Sequence, residues 1–231
     1  MICLVHLVRL MKRSIITYNN IFINNLKTKI MAINLTKGQN VKLTKGVQNV
    51  KVGISWDVAD AGKADVDLDV LAIELDGKDG KALSDSHVVF YNSLKKTSDG
   101  KPTDPNNAVI HSGDNRTGSG DGDDEVITVD FSKLDPRCKA IVFIINIYDG
   151  KGRGQNFGQV KRPVARLYYG SNDIADIVYE LDEDHSTETT LEFCLLYMHE
   201  GEWKYKALGD CNENDFISEL AKYGVSAEGN A

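Results

Sequence analysis

Over most of the chain, apolar and polar residues alternate with a period of two, a pattern that only strands with one face buried can use. Val50, Val52, Ile54 and Trp56 alternate with Lys51, Gly53 and Ser55, and Ile127, Val129 and Phe131 with Thr128 and Asp130. The same beat runs through Ile177, Tyr179 and Leu181, and through Leu191, Phe193, Leu195 and Tyr197. Ala140 to Tyr148, AIVFIINIY, is nearly continuous in β-branched and aromatic residues, as expected of a central strand covered on both faces. Shorter candidates start at Val41, Asp69, His87, Pro163 and Glu202, so about ten strands are expected, separated by turns such as LDGKDGKALSD and DGKGRGQN. The expected fold is all-β, a two-sheet antiparallel β-sandwich with a short C-terminal helix. In that helix Asn212 or Asn214 is the cap, Phe216, Ile217, Leu220 and Tyr223 share one side, and Gly224 is the stop. The Pro- and Asn-rich stretch from Lys95 to Asn107 reads as a disordered insertion.

Of 231 residues, 42% are apolar, enough for a core, and 27 basic against 34 acidic residues give a net charge of −7. That balance offers no basic footprint for phosphates, so nucleic acid is not an expected partner. No stretch approaches the roughly 18 apolar residues of a membrane span. Residues 1–30 hold five of the basic residues (Arg9, Lys12, Arg13, Lys27 and Lys29) and no acid, which leaves 22 against 34 in the remainder. In this opening segment the apolar run precedes the first charges, the reverse of a secretory signal. It reads as an N-terminal extension outside the domain of residues 31–231, with a basic amphipathic anchor as the alternative. Cys3, Cys138, Cys194 and Cys211 form no C-x-x-C pair and no zinc-finger spacing, so a cytoplasmic protein is expected.

Carboxylates crowd into two segments. Residues 57–69, DVADAGKADVDLD, hold Asp57, Asp60, Asp65, Asp67 and Asp69, while residues 113–125, GDNRTGSGDGDDE, hold Asp114, Asp121, Asp123, Asp124 and Glu125. Only Lys63 and Arg116 oppose them there. Such acids repel one another unless a cation supplies the missing charge. Oxygen donors without His or Cys select calcium or magnesium over zinc, copper or iron, and the glycines at 113, 118, 120 and 122 suit a protein-built calcium cage. In a strand, Asp65, Asp67 and Asp69 point to one face. Counting from Asp114 does put Glu125 at position 12 of an EF-hand, but Arg116, Gly118 and Ser119 occupy positions that require ligands and glycine.

Other chemistry is weakly signalled. His87 is either a base or a structural histidine at a strand start, His111, His185 and His199 have no nucleophile at recognisable spacing, and no phosphate-binding or dinucleotide fingerprint occurs. Asp149 either adds an oxygen to a metal site or caps the end of the central strand. No thiol has an activating neighbour. The expected function is therefore a binding protein and not an enzyme. The alternatives are a metal-dependent hydrolase, which would need an open coordination position, and a cation-independent acidic scaffold.

INLTKGQNVKLTK, GISWD ending at Asp57, ADVDLD ending at Asp69, LSDSHVVFYN, GDNRTGSGDGDDE, FIINIYD ending at Asp149, RGQNFGQV, STETTLEF and GEWKYKALG together resemble the TerD family, the tellurium-resistance and stress proteins of bacteria. The likeness starts at Met31 and covers nearly all of the chain to Val225. It implies a β-sandwich that binds calcium through its acidic loops. Matching the motifs, Asp57, Asp65, Asp67 and Asp69 would supply one group of ligands, and Asp114, Asn115, Asp121, Asp123, Asp124 and Glu125 another. Gly118 would add a backbone carbonyl. The resemblance also implies a stress-response role in an assembly with other tellurium-resistance proteins, at the inner face of the membrane. Leu195 and Leu196 stand where the family commonly has a Gly-Glu pair, and DCNENDF replaces its glycine-rich end.

Overall fold

Strand alternation resolves into two six-stranded sheets packed face to face. The computed structural model describes residues 32–57, 65–119, 121–180 and 187–226. The N-terminal extension, Asp60, Lys63, Gly120, Leu181 and His185 lie outside the described residues. Twelve strands are described: β1 (Ile33–Asn34), β2 (Asn40–Lys42), β3 (Asn49–Asp57), β4 (Leu68–Leu75), β5 (Val88–Val89), β6 (Val109–His111), β7 (Glu125–Asp130), β8 (Ala140–Ile147), β9 (Lys161–Tyr169), β10 (Ile177–Glu180), β11 (Thr190–His199) and β12 (Glu202–Asn212). One sheet has the order β1-β10-β9-β3-β7-β6 and the other β2-β12-β11-β8-β4-β5. All neighbours are antiparallel except the two-residue β1, which pairs parallel with β10. The expected sandwich is present, with short edge strands at β1, β5 and β6.

The core has two parts because the second sheet is covered on both faces. From β4, Leu68, Val70 and Ala72 point into the sandwich, as do Ile141, Phe143, Ile145 and Ile147 from β8. The alternate residues Leu71, Ile73 and Leu75, with Ala140, Val142 and Ile144, form a second cluster on the outer face. Leu220, Phe216 and Tyr223 of the C-terminal segment pack over that cluster. This double coverage is why AIVFIINI shows no alternation. β11 departs from the expected beat, because a bulge between Glu192 and Cys194 reverses the facing of the residues beyond it. Leu191, Phe193, Cys194 and Leu196 join the inner core, whereas Leu195 and Tyr197 face the outer cluster.

Two helical segments follow the strands' ends. α1 (Gly150–Arg153) is a single turn after β8, entered through Asp149 at φ 47°, and α2 (Phe216–Lys222) closes the fold. The cap of α2 is neither Asn212 nor Asn214. Asp215 accepts from Ser218 N at 2.8 Å, while the Asn214 carbonyl accepts the Thr189 and Thr190 hydroxyls. Gly224, at φ +76°, ends the helix as expected. Ile217 does not join the apolar side but is 51% exposed. The stretch from Lys95 to Asn107 is ordered, contrary to the sequence expectation. Bridges link Lys96 to Pro102 and Thr103 to Ile110, and the buried Asp104 accepts from the N–H groups of Asn106, Ala108 and Val109. Lys95 donates to the carbonyls of Asp104 and Pro105, so polar side chains tie this loop where apolar ones are lacking. Among the described residues no helix is long and apolar enough to cross a membrane.

Candidate metal centre

β4 and the residues leading into it place two carboxylates on one side. Val66, Leu68 and Val70 go to the core, so Asp67 and Asp69 fall on the opposite side. The Asp67 carbonyl accepts Tyr148 N at 2.9 Å and Asp69 pairs with Asn146 of β8, which fixes both backbones beside the end of the central strand. Both residues are buried, whereas Asp65, one alternation earlier, is exposed.

The second acidic segment reaches these carboxylates through Glu125, the first residue of β7. β5 pairs only with Ala72 and Ile73, which leaves Val70 beyond its end. Side chains from the other sheet take both main-chain groups of Val70. Glu125 Oε2 accepts Val70 N at 2.8 Å, and His111 Nε2 lies 3.1 Å from the Val70 carbonyl oxygen and 3.4 Å from Glu125 Oε2. His111 Nδ1 accepts Gly113 N at 3.0 Å, which assigns the imidazole proton to Nε2 as the donor. Glu125 Oε1 accepts Asn115 N at 3.2 Å, and the Asn115 amide donates to Asp124 Oδ1 at 3.1 Å. The loop is thereby folded back so that Asp114 meets the strand acids. Ligand oxygens of Asp67, Asp69 and Asp114 all lie within 4.8 Å of one another.

The remaining sequence candidates have other partners or none. Asp123 sits over Gly53 on the outside of the first sheet, accepting from Arg166 Nη1 and Tyr168 OH, both at 2.6 Å; a Cβ at Gly53 would come within 2.1 Å of its carboxylate. Asp124 accepts Trp56 N at 3.0 Å. Asp57 is paired with Arg162 at 2.5 Å. Asp121 is exposed. Gly118, at φ +65°, lets the loop cross Trp56, whose indole donates to the Val66 carbonyl; a Cβ there would lie 2.6 Å from Nε1. Asp149 stands in the left-handed region and does not cap α1 with its side chain.

Burial, and after it crowding, raises the acids' affinity for protons. Burial, then Glu125, Asp67 and Asp114, push the Asp69 carboxyl up to about 8. Burial, then Asp114, push Asp67 up to about 6. Arg116, bound to Asp114 at 3.0 Å, and Arg153 oppose this only in part. Asp67 Oδ1 is buried without a hydrogen-bond partner among the described residues. Two oxygens on opposite sides of a calcium ion bound at about 2.3–2.6 Å are about 5 Å apart, so this trio is spaced to share one ion. Its donors are all hard oxygens, and the orphaned Oδ1 is the kind of atom an ion would satisfy. Sequence reasoning missed His111 and Asn146. His111 gave little signal, since the three-residue β6 carries no period, and the acceptor of its Nε2 is the Val70 carbonyl of the other sheet.

Thiol chemistry finds no site among the described cysteines of the core. Burial raises the Cys138 and Cys194 thiols well above their ordinary value, so neither forms a reactive thiolate.

Comparison with known proteins agrees with this architecture. The family model described as the TerD domain matches residues 31–223. Tellurium resistance protein TerD of Serratia marcescens is 40% identical over 200 residues, covering 85% of this chain and 100% of that protein. General stress protein 16U of Bacillus subtilis is 39% identical over 199 residues, covering 84% and 98%. The crystal structure of a homologue of telluride resistance protein (TerD) from Streptomyces coelicolor A3(2) superposes with a TM-score of 0.57 at 19% identity, covering 80% of this chain and 99% of the other, a likeness of fold. With the family model matched over residues 31–223 and relatives of about 40% identity spanning most of both chains, the chain belongs to the TerD domain family of tellurium-resistance and stress-response proteins.

Proposed function

We propose that the protein is a calcium-binding stress-response protein in which Asp67, Asp69 and Asp114 hold the ion, and Glu125, His111 and Asn115 position the loop that carries Asp114. It acts as a binding protein and not as an enzyme, in the cytoplasm, within an assembly of other tellurium-resistance proteins. The observation that carries the reading is the buried pair Asp67 and Asp69, with Oδ1 of Asp67 lacking a partner among the described residues, facing Asp114 from the opposite sheet. A cation there would offset the burial and the mutual repulsion that together make these groups hold protons near neutral pH. Calcium is favoured over magnesium because magnesium keeps several waters, whereas two of the three carboxylates are buried. The names of the relatives, a tellurium resistance protein and a general stress protein, support the physiological half of the proposal.

Thermal unfolding of the full chain tests it. At free calcium a hundred times Kd the native state gains about 2.7 kcal/mol, and at about 2–4 °C per kcal/mol for a domain of this size the midpoint should rise by roughly 5–10 °C over the chelated protein. Asp67→Asn should remove that rise. An equal rise with magnesium, or none with calcium, would refute the reading.

A further inference from the structure

Asp69 of β4 and its register partner Asn146 of β8 carry acceptors that no donor among the described residues answers. The two residues are buried, at 5% and 4% exposed. Both line a cavity of about 340 Å³ between the outer face of these strands and the first turn of α2. The surrounding hydrogen bonds orient the Asn146 amide. The Thr189 and Thr190 hydroxyls donate to the Asn214 carbonyl at 3.0 and 2.8 Å, so Thr190 Oγ1 is free only to accept, and it accepts from Asn146 Nδ2. Asn146 Oδ1 is thereby left as an acceptor without a donor, and the Asp69 carboxylate likewise has no hydrogen bond or ion pair among the described residues. Buried polar groups are as a rule partnered, so these two call for a donor from outside the fold.

The rest of the cavity says what kind of donor. Tyr91, Tyr148 and Phe216 give it aromatic walls, and Asp149 and Asp215 stand at its exposed edge with Lys151 as the one lining cation. The Tyr148 ring already faces a cation, with the Arg153 guanidinium carbon 4.8 Å from its centre. Aromatic faces and carboxylates both attract positive charge, whereas an anion would meet repulsion from the edge and no free donor from Asp69 or Asn146.

We infer that this cavity binds a small organic cation, a primary ammonium on a flat apolar body, with the ammonium on Asn146 Oδ1 and Asp69 and the body against the aromatic walls. An ammonium brings three donors and no acceptor, the complement of an end built from acceptors. The volume is within the range of about 300–1,000 Å³ typical of small-molecule sites. This goes beyond the calcium proposal and does not need it. Asn146, Asp149, Asp215 and the aromatic walls lie outside the acidic trio, and Asp69 alone is drawn on by both, so ion and amine would compete there.

Calorimetry on the full chain in chelator tests the inference with 2-phenylethylamine, 2-phenylethanol and 3-phenylpropionate, which share a phenyl ring on a two-carbon arm and differ in charge. At pH 8.5 the amine is protonated and the carboxyls lining the cavity are largely ionised. The amine should bind at least about tenfold tighter than the alcohol, because hydrogen bonds between charged groups exceed neutral ones by about that factor. The acid should bind more weakly than either, and the amine should shift the amide resonances of Tyr148 and Ile217. Ile217 lines the cavity and is 51% exposed, so it can be changed without disturbing the core. Ile217→Lys should weaken the amine at least about threefold through like charge, whereas Ile217→Glu should keep or raise its affinity. No binding of the amine, or binding of the alcohol or the acid as tight as that of the amine, would overturn the inference. So would amine affinity that Ile217→Lys leaves unchanged, or that Ile217→Glu lowers equally. The calcium proposal stands or falls separately, on titrations without the amine.

Discussion

Replacing Glu74 with Leu should stabilise the protein near neutral pH and do much less in acid. Glu74 is on β4, in line with Leu68, Val70 and Ala72, and it is fully buried with both carboxyl oxygens unpartnered among the described residues. The neighbouring Cys138 thiol donates to the Ala140 carbonyl at 3.3 Å. Burial first, then the charges of Asp104 and Asp135, push the Glu74 carboxyl from 4.5 up to about 8. The sign comes from linkage. Below pH 4.5 the group is protonated in both states and adds no pH-dependent cost. Between 4.5 and about 8 the folded protein keeps a proton that the unfolded chain has released, so stability falls as pH rises, and above 8 the loss levels off. At about 1.4 kcal/mol per pH unit the penalty reaches about 3 kcal/mol at pH 7 and about 5 kcal/mol above pH 8. Leu abolishes this dependence, and its shape mismatch, of about 1–3 kcal/mol, is the same at every pH. Urea unfolding of both proteins at pH 4.5 and pH 7, in chelator, isolates the effect. The stability of the Leu variant relative to the original should improve by about 3 kcal/mol between the two pH values. An equal difference at both would refute the assignment of a neutral, buried Glu74.

Two further substitutions separate scaffold from ligand. Glu125→Ala leaves Val70 N and Asn115 N without their acceptor, so it should destabilise the chelated protein by about 2–5 kcal/mol and also abolish the calcium-dependent rise in melting temperature, read on one instrument with and without chelator. Asp123→Asn weakens the contacts to Arg166 and Tyr168 on the far side of the first sheet, at a cost of about 1–3 kcal/mol. Its calcium titration should match that of the unmodified chain, and loss of calcium binding would return Asp123 to the ligand set.

Strands proved more legible in the sequence than ligands. A period of two reports which face is buried, and it identified β3, β7 and the facing of Asp67 and Asp69 with no knowledge of their partners. It failed at β11, where one extra residue in the bulge at Glu192 and Cys194 inverts the facing without altering composition. It also gave no sign of β1, since two residues carry no period. The acidic loop illustrates a deeper limit. Asp114, Asp121, Asp123 and Asp124 are equivalent by composition, and what separates them is long-range: Asn115 bound to Glu125, Glu125 bound to Val70, and Arg166 waiting for Asp123. Lys95 to Asn107 shows the same limit in reverse, because Pro and Asn suggest disorder until Asp104 and Lys95 are seen to satisfy the loop's backbone. Ile217 shares the helical period of Phe216 and Leu220, yet it is half exposed, because among the described residues the outer cluster takes Phe216, Leu220 and Tyr223 from this segment.

An ion joining Asp114 to Asp67 and Asp69 is the central requirement of the proposed function. Calorimetric titration of the chelator-stripped full chain with calcium, beside Asp69→Asn and with magnesium as the competing cation, measures that directly. Saturable heat in the unmodified chain, lost in Asp69→Asn and not displaced by equimolar magnesium, is the expected result. A flat titration, or one that Asp69→Asn leaves unchanged, would contradict it.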